Sequence, residues 1–399
     1  MKETEHLKIS YILTSAGLQS NSVQDKVVSQ IHAMNENGLM CRGLFFSTEI
    51  TTEVVYDQYI TLFPVQQTNL KYFNRIQQNK VLINTILRHI KMRIQNDELI
   101  YLRYPGASYE LYKFVKKYKG RIISEHQAKE IDEIKSSKDE HPFGFKLSKL
   151  FSYFLYRIWP IYNEKLWGVL YSRQLKAKVA VTNEIAEYHK KNCENVLVIP
   201  NGIETKNYSL REIPELNSEL KILFLKGTSS LAPWNGLDRL IKSIDAYEQS
   251  SLKIQLIICG NILDGEIPER SYIVHMGYQN TEELDKLFST VHIGCSTLCL
   301  FRKNLYEAAV LKAREYFTRG LPFIYAYSDP DIQKDDEINQ YALQFNNDDS
   351  IIDFNKVISF AKEVSNDLTH NKKMRIFAEE KLDWNAKMGQ LKVFLMNLK

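Results

Sequence analysis

Residues 291–327 of this chain read VHIGCSTLCLFRKNLYEAAVLKAREYFTRGLPFIYAY. The apolar run at 291–296 predicts a buried strand, and the pattern at 304–319 predicts a helix that Gly320 brings to an end. A second apolar run follows at 322–327. A strand, a helix and a strand joined by short turns indicate neighbouring parallel strands that are covered by helices.

The same alternation runs along most of the chain. Further strands are predicted at 8–14, 39–47, 98–103, 121–124, 179–181, 195–199, 220–225, 252–259 and 272–276. Helices are predicted from 23 up to Gly38, at 109–118, 236–247 and 282–289, and as one long element at 372–398. Ligands of such sheets bind at the carboxyl ends of the strands, so functional residues are expected there.

The chain is too long for a single core, and a turn marks where it divides. Pro200-Asn201-Gly202 ends one strand–helix series, and a polar stretch precedes the next strand at 220–225. We therefore predict two Rossmann-like halves joined by a hinge at this turn.

The composition, with 44% apolar and 25% charged residues, is that of a globular protein. The 52 basic and 48 acidic residues leave a net charge of +4, which does not indicate a nucleic-acid partner. Five scattered cysteines predict buried thiols in a reducing cytosol rather than disulfides or a zinc site. The charged N-terminus is unlike a signal peptide, and no run approaches ~20 apolar residues, so we expect no membrane-spanning segment.

The charge is unevenly divided along the chain. Residues 1–200 contain 28 Lys and Arg against 20 Asp and Glu, a balance of +8, whereas residues 201–399 have a balance of −4. Residues 145–192 alone carry +6 and include Trp159 among many aromatic residues. Two interpretations stay open: a patch that binds an anionic membrane or a lipid-linked acceptor, and a pair of packed helices with solvated outer faces. The first predicts that binding to anionic liposomes requires residues 146–178 and weakens with salt.

Two carboxylates stand out in the predicted helix at 304–319. On one helix, Glu307 and Glu315 would lie about 80° apart around the axis and roughly 12 Å apart along it, so they could hold two parts of one extended ligand. The alternative is that Glu307 is only a capping-box residue. Glu315 would then form a surface ion pair with Lys312 or Arg319.

The start of that helix is a predicted phosphate site. Asn304 would cap it, and the first N–H groups of a helix attract anions. Arg302 and Lys303 stand directly before it.

These features resemble the retaining GT-B glycosyltransferases of family 4, in particular bacterial members that build surface polysaccharides. The resemblance rests on Glu307 and Glu315 with seven residues between them, on Pro200-Asn201-Gly202-Ile203 and on a final helix that contains Trp384. It is most specific over residues 195–329 and only architectural over the first 120.

The resemblance implies a GT-B fold, an α/β architecture in which two Rossmann-like domains face each other across a cleft. The first, acceptor-side domain would span 1–200, with a C-terminal helix at about 375–399 packing back on it. The second domain, which would bind the nucleotide sugar, would span 205–374.

The resemblance also implies roles for individual residues. Glu307 would contact the donor hexose and Glu315 the ribose hydroxyls. His126, directly after a predicted buried strand, resembles the family's active-site histidine, with Glu130 to orient it or assist the acceptor; alternatively, it only caps the strand end. The implied catalytic residues are His126 and Glu307, and the implied donor-binding residues are Gly17, Arg302, Lys303, Asn304, Lys312 and Glu315.

One departure from the family concerns cations. In the family, Gly-Arg follows the first strand of the second domain and Lys-Gly comes later, and both cations hold the diphosphate. Here Gly227-Thr228 and Trp234-Asn235-Gly236 stand instead. We expect Arg302, Lys303 and the start of the helix to neutralise the diphosphate, with Lys226 behind them.

No metal or other cofactor is expected. Asp329-Pro-Asp331 resembles an Asp-x-Asp metal motif, but we interpret it as a turn. The resemblance implies an enzyme of a type that works without a metal.

The sequence therefore predicts a retaining hexosyltransferase that moves a sugar from a nucleotide diphosphate donor to a glycan or lipid-linked acceptor in capsule or lipopolysaccharide synthesis. It would be cytoplasmic and peripheral at the inner face of the membrane. One alternative is a non-catalytic GT-B partner subunit, which the missing cations favour. The other is a sugar-nucleotide epimerase or hydrolase that uses His126 and Glu130 as acid and base.

Overall fold

A computed structural model of the chain describes residues 7–14, 16, 22–65, 74–136, 153–226, 232–247, 252–263, 265–333 and 336–398. The chain divides into two compact units, one formed by Met1–Ile199 with Lys387–Lys399 and the other by Pro200–Ala386. The second boundary falls inside the last helix, which therefore contributes to both units.

The first unit contains an eight-stranded sheet. Its strands are β1 (Lys8–Leu13), β2 (Met40–Ser47), β3 (Val54–Val55), β4 (Ile60–Pro64), β5 (Leu99–Arg103), β6 (Ile122–His126), β7 (Ala177–Ala180) and β8 (Val196–Val198). They lie in the order β3-β4-β2-β1-β5-β6-β7-β8, and only the β3–β4 pair is antiparallel. The central strands β1, β5 and β6 are almost fully buried, as expected for a parallel sheet with helices on both faces.

Helices connect these strands. They are α1 (Ser22–Glu36), α2 (Asn74–Arg93), α3 (Tyr109–Lys117), α4 (Glu130–Ser136), α5 (Trp159–Asn163), α6 (Val169–Ser172) and α7 (Asn183–Lys190). Wide π-helical turns at Phe154–Ile158 and Glu164–Gly168 join α5 and α6 into one helical stretch. Residues 153–172 of the aromatic, basic region are thus helical, β7 and α7 follow them, and residues 145–152 lie outside the described residues.

The second unit contains a six-stranded parallel sheet. Its strands are β9 (Glu219–Leu225), β10 (Lys253–Cys259), β11 (Ile273–Gly277), β12 (Ile293–Cys295), β13 (Phe323–Tyr325) and β14 (Ala342–Gln344). They lie in the order β11-β10-β9-β12-β13-β14. The strand order reverses between β9 and β12, and the carboxyl ends at such a switch point are where doubly wound sheets bind ligands.

The helices of the second unit are α8 (Leu237–Asp245), α9 (Thr281–Phe288), α10 (Leu311–Arg319), α11 (Phe354–Ser365), α12 (His370–Phe377) and α13 (Trp384–Asn397), the last of which runs into the first unit. None of the helices in the described part of the chain is both long enough and apolar enough to cross a membrane.

The single long helix predicted at 372–398 is wrong. A π-helical turn at Ala378–Leu382 and the extended residue Asp383 separate α12 from α13. Asp383 forms a parallel bridge with Ile203, whose carbonyl accepts a hydrogen bond from the N–H of Trp384 (3.1 Å). This contact with a distant segment interrupts the helix, and helical periodicity alone does not reveal it.

Candidate functional site

The stretch before α10 differs from the helix predicted over 304–319. A short 3-10 helix at Leu300–Lys303 ends at Asn304, whose φ of 54° is left-handed, so Asn304 closes a turn instead of capping the start of α10. The side chain of Asn347 holds this turn: it accepts from the Phe301 N–H (2.9 Å) and donates to the Leu305 carbonyl (3.0 Å). The predicted capping role of Asn304 is therefore wrong.

Glu307 lies in an extended segment outside the helix. It forms a parallel bridge with Ser328, in which the Ser328 N–H donates to the Tyr306 carbonyl (2.8 Å) and the Ala308 N–H donates to the Ser328 carbonyl (3.0 Å). The backbone groups around Glu307 are thus bonded to the segment after β13 and are unavailable for helical hydrogen bonds. The geometry predicted for Glu307 and Glu315 on one helix, and the capping-box alternative for Glu307, are both wrong.

The true start of α10 is at Leu311, and it has no side-chain cap. Val310 occupies the capping position and offers no side-chain acceptor. The N–H groups of Leu311 and Lys312, its first two residues, lie at the positive pole of the helix dipole, whereas the Ala313 N–H donates to the Val310 carbonyl (3.1 Å). This uncapped start lies between Glu307 and Glu315, four residues away from each.

Glu315 is largely buried on α10. Its Oε1 accepts a hydrogen bond from Nε of Arg319 (2.9 Å), and Arg319 also pairs with Asp285. Burial raises the pKa of Glu315, and the Arg319 charge opposes this effect. The predicted alternative of an ion pair with Arg319 is present, although Arg319 is buried rather than on the surface.

Two of the predicted phosphate-binding cations are held by carboxylates. Arg302 forms a two-pronged ion pair with Asp238 (both contacts 2.9 Å) and a further one with Asp349. Lys226 is buried against Glu266 (3.2 Å) and also donates to the Asn261 carbonyl. Their charges are therefore compensated within the protein.

Two other lysines lie over aromatic rings instead. Nζ of Lys303 is 4.1 Å from the ring centre of Trp234, and Nζ of Lys312 is 4.3 Å from that of Phe224. Lys312 is the more unusual, because its amine is buried and has no hydrogen-bond partner among the residues that the structure describes. Burial lowers the pKa of Lys312 to about 8.

The Asp329-Pro-Asp331 segment pairs with Arg314. Both oxygens of Asp329 accept from the fully buried Arg314 guanidinium, which also donates to Asp331 (2.7 Å) and to the Asn201 carbonyl (2.9 Å). The Asp331 N–H donates to the Asp329 side chain (3.1 Å), which is a turn geometry. Arg314 thus ties the predicted hinge residue Asn201 to α10, and the two carboxylates hold its guanidinium.

A pocket of about 320 Å³ opens beside the extended segment. Tyr306, Ser328 and Asn346 are among its lining residues, none of which carries a charge. Such a lining suits a neutral ligand that has hydroxyl groups.

In the first unit, His126 ends β6 and is 2% exposed. Its Nδ1 lies 2.5 Å from Oε1 of Glu130, and its Nε2 lies 3.0 Å from Oγ of Ser124. The Tyr171 hydroxyl donates to Ser124 (2.8 Å). Both ring nitrogens therefore have protein partners.

His189 and Lys178 extend this network. Nζ of Lys178 lies 2.9 Å from Nδ1 of His189, and Nε2 of His189 lies 3.4 Å from Oε1 of Glu130, outside hydrogen-bond geometry. An ammonium only donates and a carboxylate only accepts, so Nδ1 of His126 and Nε2 of His189 carry the protons. We call these six residues, Ser124, His126, Glu130, Tyr171, Lys178 and His189, the Glu130 cluster.

Burial dominates the electrostatics of the Glu130 cluster. Burial, reinforced by repulsion from His189, lowers the pKa of His126 to about 3, which keeps the imidazole neutral. Burial alone would raise the pKa of Glu130, but the histidines outweigh it and the pKa falls below its usual range. Glu130 therefore stays ionised, with the charge of Lys178 nearby.

The cluster includes one group of three potential metal ligands, His126, Glu130 and His189, whose ligand atoms lie within 4.8 Å of one another. Two imidazoles on one tetrahedral ion, with bonds near 2.1 Å, would have ring centres roughly 5 Å apart, whereas these lie 4.0 Å apart. The ammonium of Lys178 would also repel a cation. The geometry fits hydrogen-bonded ions better than a metal centre, and the expectation that no metal is needed stays a prediction.

Glu125 is a buried hub that the sequence argument did not single out. Its Oε2 accepts from the hydroxyls of Tyr11 (2.9 Å) and Tyr101 (3.1 Å), and its Oε1 pairs with Lys26 (2.9 Å). Burial would raise the pKa of Glu125, but Lys26 and Arg103 outweigh it and lower the pKa to about 2. A signal was present: Lys26 falls on the apolar face of α1, where a charge needs a buried partner.

Two predicted features lie outside the described residues. They are the donor-binding residue Gly17 and the Gly227-Thr228 turn after β9.

Comparison with known proteins identifies the architecture. No protein-family model matches the sequence, and a sequence search of curated proteins finds no match. Solved structures do match over nearly the whole chain. WaaG, a glycosyltransferase involved in lipopolysaccharide biosynthesis, has a TM-score of 0.63 at 12% identity, covering 97% of this chain and 99% of its own.

Two other neighbours have similar scores. Sucrose-phosphate synthase from Thermosynechococcus elongatus has a TM-score of 0.62, and Anabaena HepE, solved in complex with UDP-glucose, has one of 0.60; both are 12% identical. Both matches cover 98% of this chain, with 99% and 100% of the other chains. The chain has the GT-B fold.

The GT-B fold confirms the fold class predicted from the sequence. Membership of family 4, and the donor and catalytic roles of individual residues, stay predictions. Among the cations predicted to hold the donor, Arg302 is held by carboxylates, whereas Lys303 and Lys312 lie over aromatic rings.

Proposed function

We propose that this GT-B protein is a glycosyltransferase that moves a hexose from a nucleoside diphosphate sugar to a glycan or lipid-linked acceptor. The observation that carries the proposal is the start of α10, where Glu307 and Glu315 lie on either side of an uncapped helix end. Carboxylates accept hydrogen bonds from sugar hydroxyls, and free N–H groups at a helix start hold phosphate. The fold shared with HepE, solved in complex with UDP-glucose, supports the same class of donor.

Each part of the donor has a proposed contact. Glu307 holds the hexose, and the uncharged pocket beside Tyr306 can take hydroxyl groups near it. Oε1 of Glu315 is engaged by Arg319, which leaves Oε2 for the ribose hydroxyls. The diphosphate lies at the start of α10.

In the proposed reaction, the bond between the anomeric carbon and the diphosphate oxygen breaks and a bond to the acceptor oxygen forms. The acceptor proton passes to the leaving diphosphate, and the anomeric configuration is retained, as the resemblance to family 4 implies. The transition state carries positive charge on the sugar, so the protein acts mainly by positioning and by stabilising the leaving phosphate. The reaction as proposed uses no resident cofactor or metal.

We propose that the first unit is the acceptor side. Glu164 accepts hydrogen bonds from the Tyr104 hydroxyl (2.9 Å) and the Ala107 N–H (2.8 Å). Burial and the nearby charge of Glu130 raise the pKa of Glu164 to about 7, so it can exchange a proton with a hydroxyl near neutral pH. We assign His126 a positioning role toward Glu130, because its ring nitrogens are engaged.

A nucleotide panel tests the proposal. The wild-type protein should show an upward shift in its unfolding temperature with one nucleoside diphosphate, because a ligand that binds the folded state stabilises it. Glu307→Ala and Glu315→Gln should each reduce sugar transfer, and NMR of the product's anomeric proton should show retention. If the wild type binds no nucleoside diphosphate, the proposal fails.

A membrane is the proposed second partner, because the helical stretch around α5 has an exposed aromatic surface. Its exposed large apolar residues are Tyr153, Phe154, Ile158, Trp159 and Tyr162. Tyrosine and tryptophan favour the membrane interface, and the region carries excess positive charge. Trp159→Ser should weaken binding to anionic liposomes at low salt, and absence of any liposome binding by the wild type would refute this part.

A further inference from the structure

Lys312 occupies the switch point of the second sheet. It is the second residue of α10, and its Nζ lies 4.3 Å from the ring centre of Phe224, the penultimate residue of β9. Phe224 also pairs in register with Cys295 at the end of β12. The amine is therefore placed between the carboxyl ends of the two strands where the sheet order reverses.

The amine of Lys312 lacks the partners that a buried ammonium needs. It has no hydrogen-bond acceptor within the described part of the chain. A lysine over a phenylalanine ring gains about 0.5–2 kcal/mol, which is less than the cost of an unpaired buried charge. The titratable group acting on it is the Cys295 thiol, whose pKa burial raises to about 12, so that thiol stays neutral.

Two neighbouring cations, Arg302 and Lys226, cannot substitute for Lys312 without breaking existing ion pairs. Arg302 is held by Asp238 and Asp349, and Lys226 by Glu266. Releasing either one would leave carboxylates without their counter-charge. In the described part of the chain, no carboxylate pairs with Lys312.

We propose that Lys312 supplies the counter-charge for the diphosphate of the nucleotide donor, at the uncapped start of α10. This inference rests on the proposed function. The four-carbon stem of lysine lets the amine swing from the Phe224 ring toward a phosphate that the first N–H groups of α10 hold. The family resemblance implied diphosphate-binding cations in the segments after β9. In this proposal the cation is Lys312, which lies on α10.

Calorimetric titration of the full chain with uridine, UMP and UDP tests this assignment. Lys312→Met should weaken UDP binding roughly ten- to hundredfold, the loss expected for a hydrogen bond to a charged group. Binding of uridine should be unchanged. Lys312→Arg should recover part of the loss, and Lys356→Met, an exposed lysine on α11, is the matched control.

The pH dependence gives a second readout. UDP binding should be strongest when Lys312 is protonated, so affinity should fall as pH rises above about 8, and the β-phosphate is already ionised in that range. In Lys312→Met this decline should disappear.

The outcomes separate this inference from the function on which it rests. If the wild type binds UDP and Lys312→Met binds it equally well with an unchanged pH profile, the assignment is wrong and the proposed donor stands. If the wild type binds neither UDP nor another nucleoside diphosphate, the proposed function fails and the assignment fails with it. If Lys312→Met loses uridine binding equally, Lys312 has a structural role.

Discussion

The Glu130 cluster of the first unit and the surroundings of Lys312 in the second place buried charges in opposite situations. In the cluster, Glu130 is contacted by two histidines, one of which is backed by Lys178. Lys312 has an aromatic ring beside it and no hydrogen-bond acceptor in the described ranges of the chain. Both groups follow or adjoin the carboxyl ends of parallel strands, so position alone does not separate them.

The difference separates buried charges that are already paired within the protein from buried charges that would gain a counter-charge only when a ligand binds. Removing one member of a buried ion pair is strongly destabilising, because the other member stays buried without a counter-charge. A buried charge without a partner costs stability, so its removal should be tolerated unless a ligand is present. Pairing is therefore a criterion that mutagenesis can test.

The largest expected effect is a difference in stability between variants of Arg314 and of Lys312, which lie two residues apart on α10. Arg314→Met should lower the free energy of unfolding by about 3–5 kcal/mol, since Asp329 would remain buried without a counter-charge. Lys312→Met should leave the unfolding free energy unchanged or raise it slightly. Urea denaturation followed by circular dichroism measures both; equal destabilisation by the two variants would contradict the comparison.

A smaller effect should appear in acid, through Glu125. Its pKa is about 2 in the folded protein against an ordinary value of 4.5, so its contribution to stability is complete above pH 4.5 and lost as the pH falls toward 2. The loss amounts to about 3 kcal/mol. Urea midpoints measured from pH 5 to pH 2 should fall less steeply in Glu125→Gln, although this variant is less stable at pH 7.

That acid prediction has a clear counter-result. A pH slope in Glu125→Gln identical to that of the wild type would mean that Lys26 and Arg103 do not hold the ionised carboxylate as the structure indicates. Glu53 provides a control, because its ion pair with Arg93 is on the surface. Glu53→Gln should change acid stability little.

The smallest expected effect concerns Lys303, whose amine lies 4.1 Å from the ring centre of Trp234. If Lys303 assists the donor phosphate, Lys303→Met should weaken UDP binding about two- to fivefold, since Lys303 is partly exposed and its charge is screened. Calorimetry measures this beside Lys312→Met. If Lys303→Met weakened UDP binding more than Lys312→Met does, the order of the two effects predicted from burial would be wrong.

Much of the fold follows from local patterns. The strand–helix alternation predicted most of the sheet strands, because buried parallel strands read as short apolar runs. Gly38 and Gly320 were expected to end helices, and both have positive φ angles after α1 and α10. These features depend on neighbours in sequence, so periodicity and turn residues reveal them.

The site was less predictable. The stretch at 304–310 has good helix-forming residues, yet contacts with Ser328 and Asn347 hold it out of the helix. The spacing of Glu307 and Glu315 drew attention to the segment around the start of α10, but the prediction that both residues lie on one helix was wrong. Arg302 looked available in the sequence because its partners, Asp238 and Asp349, lie far away in the chain.

The sequence by itself determined the two strand–helix series, the turn at 200–202 and the residue types near the strand ends, because each depends on local periodicity and backbone preference. Only the tertiary structure decided which charges are paired. Electrostatic pairing depends on distances between segments that are remote in sequence, such as Arg302 with Asp349 and Lys26 with Glu125. It is this pairing that leaves Lys312 as the buried cation to test for a role in binding the donor.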